Sequence, residues 1–198
     1  MELSKEHLEF EKIIESIVGL RVYSVSYYSR VERMITSKSF QESHFKQIDS
    51  VDFSVLIQSQ NNKKIEILWD SSFFQYGVGI KINEDSPFEN YQITDVSNSL
   101  IWNNTIGQTI ENITVNWDVA IEENLDGIII RKILYPQSLV LSFSNSNKVF
   151  ISAAGFLERN DEQVYPYLDK LTITQDEALA KQTRMIPPFS VKIRSQKG

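Results

Sequence analysis

The chain writes one strand–turn–strand pattern twice, and this constrains its fold more than any other feature. Residues 61–70 read NNKKIEILWD and residues 145–154 read NSNKVFISAA. The apolar run VLIQSQ precedes the first and LVLSFS precedes the second. At an offset of 84 the apolar positions coincide: Val55 with Leu139, Leu56 with Val140, Ile57 with Leu141, Ile65 with Val149, Ile67 with Ile151. Ser59 against Phe143 and Glu66 against Phe150 do not match. Alternation of period two with Asn-rich breaks predicts two antiparallel hairpins, the first turning at Gln60, Asn61 and Asn62, because Asn tolerates positive φ.

The segments before the hairpins also correspond. Ser4 is placed to cap a helix through LEFEKIIESIV, with Phe10, Ile13, Ile14 and Ile17 on one face and Gly19 after the last turn. At an offset of 88, SNSLIWNNTIG sets Ile101 and Trp102 on Ile13 and Ile14, and Gly107 on Gly19. This predicts a second helix feeding the strand ENITVNWDVAI, as the first feeds LRVYSVSYYS. Thr36 to Ser50 reads as a polar loop, YGVGIKIN as a strand, NLDG and Pro136-Gln137 as turns, and ITQDEALAKQTR as a helix capped by Thr174. The expected fold is α+β, mainly antiparallel sheet with a few helices, in two similar halves that suggest an internal duplication. The boundaries are 1–95, 96–185 and a basic C-terminal tail at 186–198, either an edge strand or a flexible end.

The totals exclude several chemistries. With 198 residues, 41% hydrophobic and 23% charged, the chain can bury a core. It has no cysteine, which removes disulfides, thiolate metal sites and cysteine nucleophiles. The N-terminus MELSKEHLEFEK lacks the apolar core of a signal peptide, and no run approaches a membrane span, so a cytoplasmic location is expected. The only histidines are His7, read as exposed in the first helical turn, and His44, in the polar loop. Neither sits in a catalytic or metal-binding signature, and no phosphate-binding glycine motif or nucleophile elbow occurs. The run EENLDG resembles the start of a calcium loop but lacks the Asp at position 1, and Ile133 replaces the bidentate Glu at position 12. We read it as a hairpin turn. Trp69 and Trp117 read as core residues near strand ends, with Asp70 and Asp118 opening turns. Alternation sets Tyr23 and Tyr27 on one face and Tyr28 on the other. No catalytic residue, metal or cofactor is expected.

Charge is unevenly distributed. Residues 82–130 hold nine acids and no Lys or Arg, whereas residues 131–198 hold ten Lys or Arg and six acids. Glu111, Asp118, Glu122, Glu123 and Asp126 are therefore candidate partner-binding residues that would attract a basic surface. The acidic balance disfavours nucleic acid.

The stretch from TIGQTIENITVNW through YPQSLVLSFSNSNKVFISAAG resembles small bacterial domains that include immunity-type proteins, the partners of polymorphic toxins. The carrying features are the Ile-Gly strand entry, the Gln-Ser-Leu strand opening and the Asn-rich hairpin ending in Ile-Ser-Ala. The resemblance implies a non-enzymatic protein that binds and neutralises a cognate toxin. The alternatives are a carboxylate-dependent hydrolase or nucleotide-handling enzyme, and a structural or regulatory module of a larger assembly.

Overall fold

A computed structural model describes residues 4–29, 40, 43–73, 77–84, 92–124, 126–166 and 168–187, together with the backbone of 192–194. Helix α1 (Lys5–Glu15) starts at Ser4, whose extended backbone (φ −73°, ψ 170°) makes it the N-cap. Phe10 and Ile14 bury its inner face. Gly19 follows at φ +89°, a left-handed conformation that costs glycine little. Strand β1 (Val22–Ser29) then enters the first sheet. A bulge between Val22 and Ser24 shifts its alternation, so Tyr23 is exposed while Tyr27 is wholly buried. The expectation that these two tyrosines share a face fails at that bulge.

The hairpin β3 (Ser54–Ser59) and β4 (Lys64–Asp70) forms as expected, with Asn62 at φ +59° in its turn. Strand β5 (Gly77–Ile82) packs closely on β4: a Cβ added at Gly79 would lie 2.5 Å from the Asp70 Cβ. Strand β6 (Gln92–Asp95) lies beside β1, so the first sheet runs β5-β4-β3-β1-β6. The segment read as a polar loop ends in a strand, β2 (Asp49–Val51); residues 36–39, 41 and 42 of it lie outside the described residues.

Residues 97–107 are a succession of turns, not the expected second helix. Their main-chain bonds are mostly three-residue, Ser99 N–H to Val96 O, Thr105 N–H to Trp102 O and Gln108 N–H to Thr105 O, with one four-residue bond from Asn103 to Ser99. Serine and asparagine compete with helix by bonding the backbone locally, which favours turns. Gly107 nevertheless takes φ +77°, as Gly19 does.

Strands β7 (Ile110–Glu123) and β8 (Ile129–Phe143) are 14 and 15 residues long. Pro136 does not end β8. It stands at a register shift opposite Trp117, where a missing N–H is tolerated in a sheet. After β9 (Lys148–Ser152) come the short ladder of β10 (Ala154–Gly155) with β11 (Tyr165–Pro166), then β12 (Leu171–Thr174) and helix α2 (Glu177–Gln182). Asp176 caps α2, accepting from Leu179 N–H at 2.9 Å, and Thr174 instead ends β12. Strand β13 (Lys192–Arg194) places part of the basic tail parallel to β7. The second sheet runs β13-β7-β8-β9-β12-β2, with β2 from the first half of the chain at its edge.

Among the described residues the protein is thus mainly antiparallel β with two short helices. Its main core draws on both sheets and α1, uniting Phe10, Ile14, Val25, Ile57, Ile65, Ile113, Leu141 and Ile173. A second cluster, including Val140, Phe150, Leu179 and Met185, contains residues of β8, β9 and α2. The sheets also share a main-chain junction. Gly19 N–H donates to Ile110 O and Gly107 N–H to Val22 O; Ile110 N–H donates to Leu20 O and Val22 N–H to Gln108 O. Ladder registers agree at the two offsets of the sequence, 88 from β1 to β7 and 84 across the hairpins: Tyr27↔Val55 and Val55↔Ile67 in one sheet, Val115↔Leu139 and Leu139↔Ile151 in the other.

Candidate functional site

Beyond its pairing with β9, which spans Ser138 to Ser142, β8 continues with β7 as an arm, which β13 joins at Ile121 to Glu123 of β7. The arm turns at Asn124, whose Oδ1 accepts from the N–H groups of Asp126 and Ile128, and Gly127 takes φ +77°. This is the turn expected from NLDG. Ile128, Ile129 and Ile130 follow, exposed by 62%, 49% and 56%. Ile130 stands at a register shift between β7 and β8, and all three side chains are open at the arm tip.

The five candidate acids do not form one surface. Glu111 is exposed at the start of β7, eleven residues and roughly 36 Å along the strand from Glu122. Asp118 is buried in mid-strand, opposite Tyr135, and accepts from Val119 N–H at 2.8 Å; it opens no turn. Glu123 is buried as well. Glu122 and exposed Asp126 remain near the tip, and Glu122 pairs with Arg131 at 3.5 Å. Antiparallel pairing explains the difference. It folds Arg131 and Lys132 back onto Glu122 and Ile121, and β13 brings Lys192 and Arg194 into register with Ile121 and Glu123. Charges separated along the chain are therefore interleaved in space.

His7 is half-buried, not exposed. Its ring lies 4.9 Å from Phe73 and 5.0 Å from Trp117. Ser4 N–H donates to Nδ1 at 3.2 Å, which leaves Nε2–H to donate to Leu134 O at 3.2 Å. His7 thereby ties α1 to the base of the arm, across a groove of about 390 Å³ lined by Ser4, Glu6, Phe73, Arg131 and Lys132. His44 is exposed and touches Arg159 O through Nδ1 at 3.2 Å. Among the described residues no three His, Asp or Glu side chains gather to hold a metal ion, and no helix is long and apolar enough to cross a membrane.

A second site went unread in the sequence. Trp102 Nε1–H donates to the Tyr27 hydroxyl at 2.6 Å, and that hydroxyl donates to Asp49 Oδ2 at 3.1 Å. Trp102 and Tyr27 are both fully buried. Burial pushes the Asp49 carboxyl up to about 6, against the pull of the Tyr27 hydrogen bond. Burial, and then the charge of Asp49, hold the Tyr27 phenol well above the ordinary tyrosine range, so it stays a donor. Asp49 opens into a cleft of about 380 Å³ whose walls include Phe40, Lys46, Asp95, Ser99 and Leu100. The available signal was Tyr27 itself: a tyrosine in phase with buried Val25 needs a partner for its hydroxyl.

No family model, no curated protein and no solved structure matches the chain.

Proposed function

We propose that this protein acts by binding another protein, with the β7–β8 arm as its contact surface. The observation that carries this reading is the exposed run Ile128, Ile129, Ile130 at the arm tip. Consecutive apolar residues on an open strand are a liability unless something covers them. Interfaces concentrate their energy in apolar anchors ringed by polar groups, and Glu122, Asp126, Arg131 and Lys132 provide such a rim. The resemblance of the second half to immunity-type domains suggests the partner, a cognate bacterial toxin met in the cytoplasm, and the role, non-enzymatic neutralisation. Glu122 and Asp126 are the acids left to engage a basic toxin surface.

The test is a binding assay between the protein and the product of a toxin gene adjacent to its own. The double variant Ile128→Asp, Ile130→Asp should bind at least about 30-fold more weakly, the loss of an interface hot spot, with its melting temperature unchanged. Equal affinity in the variant would remove the arm from the interface.

We infer that the two halves descend from one duplicated unit. Supporting this are the matched registers, the bulges after Val22 and Ile110, the left-handed glycines at 19 and 107, and left-handed turn residues at Asn62 and Ser146. The reciprocal bonds around the Arg21–Thr109 bridge have the form a two-fold axis would impose.

A further inference from the structure

We propose that the cleft at Asp49 binds a small organic cation, a primary ammonium group carried on a short apolar body. Four observations meet there. The cleft holds about 380 Å³, within the range of small-molecule sites. Its walls combine the carboxylates of Asp49 and Asp95 with the apolar surfaces of Phe40, Val96, Leu100 and Ile101. Leu100 is 64% exposed, a large apolar side chain standing open at this cleft. Asp49 is largely buried, yet among the described residues it receives a hydrogen bond only from Tyr27 and makes no ion pair. A carboxylate can accept about four hydrogen bonds, and a buried one without a counter-charge is costly.

The protein's own architecture keeps that cost in place. Tyr27 on β1 and Trp102 in the 97–107 turns are fully buried and hold Asp49 Oδ2 from behind. In the wall of the same cleft the Ser99 Oγ is buried without a hydrogen-bond partner. Among the described residues the charged groups lining the cleft besides Asp49 are Lys46, in the turns before β2, and Asp95 on β6. Lys46 is exposed and has an interaction of its own, and Asp95 has its carboxyl held below the ordinary range by Ser97. Two carboxylates therefore face one engaged ammonium, and an incoming cation would supply the missing charge. Its donors would meet Asp49 while its carbon body lay along Leu100 and Ile101.

The probe is n-butylamine, protonated at neutral pH, with n-butanol as its neutral counterpart. Both are titrated into the intact protein while backbone amide resonances are followed. Butylammonium should shift amides of residues 94–101 and Asp49 and bind tenfold or more tightly than butanol, the worth of a charge-assisted hydrogen bond. Affinity should fall roughly tenfold from pH 7 to pH 5 as Asp49 takes up its proton, because Asp95 stays ionised over that span. Asp49→Asn should lose the preference for the amine over the alcohol. If that variant fails to fold, the pH titration of the unmodified protein decides alone. Equal binding of alcohol and amine, affinity indifferent to pH, or no response at these residues would each overturn the proposal.

Discussion

The hydroxyl of Tyr27 donates to the carboxylate of Asp49 across 3.1 Å, and this bond joins the two sheets of the molecule. Tyr27 lies on β1, between β3 and β6 in the first sheet, and Asp49 on β2 at the edge of the second. The linkage has measurable consequences because one partner titrates near neutrality.

Stability should depend on pH through Asp49. Its folded carboxyl ionises at about 6, against an unfolded value of about 3.9. Between those values the folded state holds the extra proton, so this contribution is full below about pH 4 and is lost as pH rises to about 6. The whole difference is about 3 kcal/mol. Denaturant titrations from pH 4 to 7 should show the slope, and Asp49→Asn should flatten it.

Tyr27→Phe removes the hydroxyl that both neighbours use. Trp102 Nε1–H is then left buried and unpaired, and Asp49 loses the bond that favours its charge. The expected cost is about 1–3 kcal/mol. The fall in stability should also extend to higher pH than in the unmodified protein, an effect that a loss of packing alone would not produce.

Ile57 and Leu141 occupy matching positions on β3 and β8, and both lie in the core shared by the sheets. Alanine at either should cost about 2–5 kcal/mol. Because the core is common, calorimetry of each variant should show one cooperative transition at a lowered temperature. Two transitions, with only one displaced, would mean that the halves unfold separately.

Gly19 and Gly107 both adopt left-handed backbone, and at neither would an added Cβ lie within 3.4 Å of another group. Alanine should therefore lose stability through conformation alone, about 1–2 kcal/mol at each. Similar losses at the two positions, measured by chemical denaturation, would fit equivalent roles in a repeated unit.

What the sequence revealed depended on the range of the interaction. Both hairpins were legible because alternation and Asn-rich turns are local, and Asn62 and Ser146 take the left-handed backbone in those turns. Ile101, Trp102 and Ile106 imitate helical spacing, but the surrounding serines and asparagines make turns, and composition outweighed periodicity. The acidic segment misled for a different reason. Charge was counted along the chain, and the fold returns Arg131 to Glu122. The Asp49 cleft had only the buried Tyr27 hydroxyl as its signal, and the partners of that hydroxyl lie 22 and 75 positions away.

The claim that the arm is a protein-binding surface is tested most directly by cross-linking in the native host. A photo-reactive amino acid is placed at Ile130 on the arm tip and, as a control, at Lys63 in the turn before β4. Both are surface positions, and only the first lies on the apolar run. The account predicts one discrete adduct of a single protein at Ile130, absent at Lys63 and lost when Ile128 is also replaced by Asp. No adduct at Ile130, or the same adduct from both positions, would contradict it.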